Sequence, residues 1–307
     1  MSISIIVPMH NSENTVHLTI ESIQNQTYTN YKVLLIDDGS TDKTAEVCRE
    51  LVGDDARFHY FYKPNGGVSS ARNYGIEKVD TPYIAFLDSD DVFDPRYLEA
   101  MFQRYEEDPS IDLVACSYTR NNKYIYLGDR NITNYDMVTT ILDEDGPMGY
   151  VCNKLYRSDV LREHHVHFDE TLHYGEDLLY NVTYLSHIKK VGYVNEVLYF
   201  YVVGETSISS RLNHPKTLTH INALQKVIER VESMELDEKT RLRFRNTFFR
   251  ISLGYLFRHS IANDKDKIQK FDALLKTMNP LTTRNLFLSS KMVAGKAYLA
   301  FRKMQVR

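Results

Sequence analysis

Five short apolar runs, at residues 3–7, 31–36, 58–62, 83–87 and 111–116, punctuate the first part of this chain, and the stretches between them read mainly as helices. No other feature narrows the fold so far. The first run, Ile3-Ser4-Ile5-Ile6-Val7, is rich in β-branched residues, as befits a strand buried on both faces of a parallel sheet. A helix is predicted over about 13–26, capped by Asn11 or Ser12, with Val16, Ile20 and Ile23 on its buried side. A second starts after Ser40-Thr41-Asp42, a third covers about 68–78, and a fourth opens at Pro95, a favoured first helical position. This alternation predicts an α/β fold with a Rossmann-like, mostly parallel, doubly wound sheet. Ligands in such sheets bind beyond the carboxyl ends of the strands. His10, Asp38, Arg72, Asp88 and Asp90 all fall there.

Past residue 120 the pattern is mixed, with a strand expected at 151–156, a helix at 176–185 and a strand or hairpin arm at 193–203. After His214-Pro215 the chain turns helical, at about 216–234, 238–262, 264–278 and 283–304. A length of 307 residues leaves room for a catalytic domain at 1–213 and a helical C-terminal appendage at 214–307. The charge divides along the same line. Residues 1–215 carry 18 Lys+Arg against 33 Asp+Glu, a net of −15, and residues 216–307 carry 19 against 8, a net of +11. An acidic half thus adjoins a basic half suited to an anionic lipid, an anionic polymer or the acidic half of another subunit. A strongly acidic motif region argues against nucleic acid as a partner.

Three widely spaced cysteines, Cys48, Cys116 and Cys152, form neither a disulfide framework nor a zinc knuckle. A reduced, cytoplasmic setting fits. The N-terminus has no positive region before its short apolar run, so it reads as a strand rather than a signal peptide. No stretch approaches the roughly 20 apolar residues that span a bilayer.

Asp88-Ser89-Asp90 ends the apolar run 83–87. Two carboxylates one residue apart at a strand end point the same way and raise each other's pKa. A divalent cation resolves that conflict; hard oxygen ligands suit Mg²⁺ or Mn²⁺, whose shell substrate phosphates commonly complete. Asp37-Asp38-Gly39-Ser40 can offer a carboxylate to the N3–H of uracil, or be a turn leading to a helix cap. Gly66-Gly67 before a helix N-terminus lets backbone approach an anion, with Arg72 in reach of a base or phosphate; the alternative is a glycine turn with a solvated arginine. Glu176-Asp177 opens a helix, where acids are favoured by the dipole, or holds a general base at the site edge. His164-His165 and His167 fit no zinc spacing and read as a surface turn.

Taken in order, Ser4-Ile5-Ile6-Val7-Pro8 with Asn11, Ile36-Asp37-Asp38-Gly39-Ser40-Thr41-Asp42, Gly66-Gly67 with Ala71-Arg72-Asn73, Phe86-Leu87-Asp88-Ser89-Asp90-Asp91, Asn153-Lys154-Leu155-Tyr156 and Gly175-Glu176-Asp177 resemble the family 2 glycosyltransferases of the GT-A fold over about residues 1–210. The resemblance implies an inverting, metal-dependent enzyme. It would move a hexosyl or N-acetylhexosaminyl group from a UDP-sugar to a hydroxyl of a glycan acceptor: capsule, teichoic acid, or a lipid-linked or protein-linked chain. It puts Pro8, His10, Asp38 and Arg72 around the nucleotide base, with Gly66, Gly67 and Ser89 also on the donor nucleotide. Asp88 would hold the ribose or metal region, and Asp90 the Mn²⁺ or Mg²⁺. Asp177, beside Glu176, would be the catalytic base, and Asn153 and Lys154 would line the donor-sugar or acceptor side. Two positions depart from the family's pattern. His10 replaces the usual Tyr or Phe, and residues 201–207 lack the basic residue many relatives carry after that strand.

Residues 289–307 contain Lys291, Lys296, Arg302, Lys303 and Arg307 and no acid, with Met292, Val293, Leu299, Phe301 and Met304 as apolar surface. Such a segment suits the inner face of an anionic membrane, or packing on its own domain or in a homo-oligomer. A catalytically silent nucleotide-sugar or glycan-binding module is the competing functional reading; retention of Asp88, Asp90 and Asp177 argues against it. A nucleotidyltransferase would want a glycine-rich loop after the first strand, where Pro8-Met9-His10-Asn11 has no glycine.

Overall fold

Ile3, Ile5, Ile6 and Val7 have no exposed surface, because the strand they form is flanked on both sides within the sheet. This strand, β1 (Ile3–Met9), pairs in parallel with β2 (Tyr31–Asp38) and with β4 (Tyr83–Phe86). The structure, a computed structural model, describes residues 1–120, 122–143, 146–147, 149–202, 218–245 and 247–248. Around β1 the remaining elements follow in chain order: α1 (Val16–Gln24), α2 (Thr44–Val52), β3 (Phe58–Lys63), α3 (Val68–Lys78), β5 (Val92–Phe93), α4 (Tyr97–Glu107), β6 (Leu113–Arg120), β7 (Lys123–Ile125), β8 (Arg130–Thr133), α5 (Asn134–Thr140), β9 (Lys154–Arg157), α6 (Ser158–Glu163), α7 (Glu176–Leu185), β10 (Lys190–Phe200) and α8 (Leu218–Glu232).

The sheet runs β3-β2-β1-β4-β9-β6-β10-β5, with β7 on β6 and β8 on β10. Strands β3, β2, β1, β4, β6 and β10 share one direction, and β9 is inserted antiparallel between β4 and β6. This is the α/β, mostly parallel architecture of the GT-A fold. Chain order reverses between β1 and β4, so a crevice opens beyond their carboxyl ends, where open α/β sheets bind ligands. Pro8 sits in β1 without breaking it, because pairing to β4 stops at Ile6 opposite Phe86. Proline is tolerated where its missing N–H has no ladder partner.

Two local details set the site. Gly75 of α3 lies against Ile6, and a Cβ there would stand 2.5 Å from the Ile6 Cγ2. Its bare backbone lets α3 settle onto β1, which brings Arg72, one turn earlier, under the crevice. The fourth helix begins at Tyr97 rather than Pro95. Pro95 instead offers its carbonyl to the Thr27 N–H at 2.8 Å.

Beyond β10, α8 buries Ala223, Leu224, Val227, Ile228 and Val231, a helical stripe packed on α7. Helical backbone also covers 238–245. The expected helices at 264–278 and 283–304, the basic segment 289–307 and the proposed boundary at 213/214 lie outside the described residues. No described helix is long and apolar enough to cross a membrane.

Candidate active site

Alternation along β2 turns Asp37 and Asp38 to opposite faces, and their partners differ accordingly. Asp37 accepts from the Ser40 N–H at 2.7 Å and from the Tyr60 hydroxyl, which closes the turn after β2. Asp38, 3% exposed, faces the crevice. Its Oδ1 accepts from Lys63 Nζ at 2.6 Å and from the Gly66 N–H at 2.9 Å; its Oδ2 accepts from the Gly67 N–H at 2.7 Å. The two glycine amides expected to greet an anionic ligand therefore cradle a carboxylate of the protein itself. Gly66 lies close to the cradle's side chains: a Cβ there would meet Ser70 Oγ at 2.8 Å and Lys63 Nζ at 3.0 Å, so they would have to shift. The exposed His10 ring lies beside this cradle, its Nδ1 3.0 Å from the Asp38 carbonyl oxygen. Asn65 Nδ2 donates to the same carbonyl at 2.9 Å. Pro8 is buried one residue inside the strand end.

Arg72 is buried rather than solvated. Its side chain is 3% exposed, and its two terminal nitrogens are engaged by carboxylates. Nη1 donates to Asp177 Oδ1 at 2.6 Å and Nη2 to Asp88 Oδ1 at 2.7 Å, with Glu176 Oε1 at 3.7 Å from Nη1. The guanidinium lies 5.1 Å from the centroid of the Phe168 ring, which stacks on Tyr180. Asn73 fixes Phe168 through both ends of its amide, donating to the Phe168 carbonyl at 2.9 Å and accepting its N–H at 2.8 Å. Arg72 thus joins the end of β4 to the start of α7. Phe168 and Asn73 belong to the site's support, and no sequence periodicity marks the contact.

The first turn of α7 favours Asp177 as an anion, but removal from water works the other way. Desolvation lifts the Asp177 pKa to about 7 against the pull of Arg72, with Glu176 and Asp88 adding to the rise. Desolvation also raises Glu176, again opposed by Arg72. Asp177 keeps 21% of its side chain open, so it can meet a substrate.

The loop after β4 splits its three acids. Asp88 is half-buried, and Asp90 stands at the exposed rim. Crowding by the surrounding protein, then the nearby Asp88, push Asp90 up to about 6. Because the residue is exposed, the upward direction rests chiefly on its acidic neighbour. Asp91 is buried, accepts from the Tyr199 hydroxyl at 2.5 Å and the Val202 N–H at 2.8 Å, and is pushed up to about 8, first by desolvation and then by Asp88. Ser89 Oγ pairs with Ser12 Oγ at 2.8 Å rather than standing free. Among the described residues, the group able to surround a cation is Asp88, Asp91 and Cys152, with ligand atoms within 4.8 Å of one another, and Asp90 lies outside it. Burial raises the Cys152 thiol far above its usual pKa, so it is a poor partner for a hard ion. The crowded carboxylates are what fits Mn²⁺ or Mg²⁺.

Asn153 and Lys154 do not line the crevice: both are fully buried. Asn153 Nδ2 donates to the Cys116 carbonyl at 3.2 Å. Lys154 Nζ donates to the Pro147 carbonyl at 3.1 Å, to Asn153 Oδ1 at 2.8 Å and to the Tyr150 carbonyl. Burial lowers its pKa to about 7, opposed by Asp177. The pair ties down the backbone at Pro147 and Tyr150.

The sequence profile for Glycosyl transferase family 2 matches residues 4–164. The chain is 30% identical over 231 residues to the uncharacterized glycosyltransferase EpsJ of Bacillus subtilis, covering 71% of this chain and 66% of EpsJ. It is 35% identical over 216 residues to the minor teichoic acid biosynthesis protein GgaB of the same organism, covering 67% of this chain and 23% of GgaB. The chain therefore spans two thirds or less of these curated relatives. Among solved structures, S. aureus TarS 1–349 in complex with UDP-GlcNAc superposes with a TM-score of 0.79 at 17% identity, over 100% of this chain and 90% of that one.

Proposed function

We propose that this chain, which belongs to glycosyl transferase family 2, transfers a sugar from a UDP donor, with inversion, to a hydroxyl of a surface glycan of the teichoic-acid kind. The observation that carries this reading is the Asp88–Arg72–Asp177 bridge. It brings a donor-side carboxylate and a candidate base to one crevice at the reversal point of the sheet. The UDP donor is supported by the Asp38 cradle beside His10, and by the fold likeness to a protein crystallised with UDP-GlcNAc. The teichoic-acid acceptor is supported by the likeness to GgaB.

In this reading Asp177 accepts the proton of the acceptor hydroxyl as that oxygen attacks the anomeric carbon opposite the departing UDP, a role worth about 10²–10⁴-fold. Arg72 orients Asp177 and balances its charge. Asp88 with Asp91, the two carboxylates that stand together, would hold Mn²⁺ or Mg²⁺, with Asp90 beside them at the exposed rim; the Tyr199 hydroxyl and the Val202 N–H fix Asp91 and the loop. Such a cation, when bound, supplies Lewis-acid stabilisation of the charge on the leaving diphosphate. His10 offers a flat ring to the base in place of the usual Tyr or Phe.

The direct test is UDP release from a panel of UDP-sugars with Mn²⁺ and no acceptor. One donor should be hydrolysed well above the rest, and chelation should remove the signal. Turnover of GDP-sugars alone would overturn the UDP donor, and full activity after chelation would overturn the metal. A second expectation concerns pH. Asp177 serves as a base only when ionised, so a pKa of about 7 makes kcat/KM fall about tenfold per pH unit below that value and level off above it. A profile flat across neutral pH would assign the base elsewhere.

A further inference from the structure

Lys63 is the last residue of β3 and was not marked by any motif. Its side chain is 14% exposed, and its ammonium lies against Asp38 in the cradle. This inference rests on the reading that the donor nucleotide binds beside Asp38, and concerns how its base is told from others.

The argument is one of remaining hydrogen-bond capacity. An ammonium has three protons, and a carboxylate has about two acceptor positions on each oxygen. Lys63 Nζ donates to Asp38 Oδ1 at 2.6 Å and to the Pro64 carbonyl at 2.8 Å, which leaves one proton. Asp38 Oδ1 already accepts from Lys63 and Gly66, whereas Oδ2 accepts from Gly67 alone, which leaves one acceptor position. One acceptor and one donor therefore remain on two paired groups: the Gly66 and Gly67 amides fix Asp38, and Asp38 Oδ1 with the Pro64 carbonyl holds the Lys63 ammonium. Uracil presents N3–H next to a C4 carbonyl, and guanine presents N1–H next to a C6 carbonyl; both lactam edges complement this pair. Cytosine and adenine present a bare ring nitrogen next to an amino group. Against them the carboxylate would face a lone pair and the ammonium would face N–H groups, so both contacts would be repulsive.

We propose that Lys63 is a specificity-determining residue: with Asp38 it forms an acceptor–donor pair that takes the lactam edge of uracil or guanine and rejects the edge of cytosine or adenine. Asp38 alone would read only the ring N–H. Lys63 supplies the second contact, which makes the readout two-pronged, the arrangement that discriminates bases best.

The test is calorimetric titration of the full chain, with Mn²⁺ present, by UDP, GDP, CDP and ADP, for the wild type, Lys63→Met and Lys63→Gln. Circular dichroism confirms that each variant is folded. The wild type should prefer UDP to CDP by about 100-fold or more, and GDP in place of UDP would identify a guanine donor by the same edge. Lys63→Met should lose about tenfold or more of the lactam-base affinity, as expected for a lost charged hydrogen bond, while CDP binding stays unchanged or improves. Lys63→Gln should narrow the ratio similarly, since an amide can serve either edge. If the UDP-to-CDP ratio of Lys63→Met stays at the wild-type value, Lys63 makes no contact with the base edge, which overturns the proposal. Failure of the wild type to bind any nucleoside diphosphate would overturn the donor reading beneath it, a result distinct from an unchanged ratio.

Discussion

Asp177→Asn should lower sugar transfer by about 10²–10⁴-fold while leaving UDP affinity within a few-fold of the wild type. The substitution keeps the shape of the side chain and an oxygen that can still accept from Arg72 Nη1, now 2.6 Å from Asp177 Oδ1. What it removes is the capacity to take a proton. Asp177 lies at the opposite end of the Arg72 bridge from Asp88 and has no contact with the Asp38 cradle, so nucleotide binding has no reason to change. Steady-state rates with the preferred donor, set beside a UDP titration, read the two effects separately. A variant keeping most of its rate would move the base to Glu176, which stands 3.7 Å from the same arginine.

Arg72→Met should abolish transfer and also weaken the fold. The guanidinium is the shared counter-charge for Asp88 and Asp177, and its side chain is only 3% exposed. Removing one partner from a buried ionic group strands the others, at about 3–5 kcal/mol. Urea unfolding followed by circular dichroism would measure the loss. Stability close to wild type would mean that the carboxylates left behind take up protons or water at little cost, and that the Arg72 bridge does not hold β4 to α7. Arg72→Lys should be nearly as inactive, because one ammonium cannot reproduce the fork that reaches two carboxylates at once.

Much of the fold was legible in the chain because its signals are local. The run Ile3–Val7 and the strand before Asp88 follow from short continuous apolar stretches, which a strand buried on both faces imposes on its own residues. The antiparallel direction of β9 was not legible, since its apolar pattern is the same in either direction. Small elements such as β5, two residues long, carry too few positions for any period to appear.

The site divided in the same manner. The sequence alone determined which acids and glycines stand at strand ends, because turn chemistry and strand length are written in consecutive residues. Only the tertiary structure decided what each one does. It separated Asp37, closing a turn, from Asp38, facing the crevice; it gave the Gly66 and Gly67 amides to Asp38; and it buried Asn153 and Lys154 behind a loop. It also joined Arg72 to Asp177 across 105 positions of chain. A hydrogen bond between such distant residues depends on where the sheet places two helix ends, and no local spacing encodes that distance.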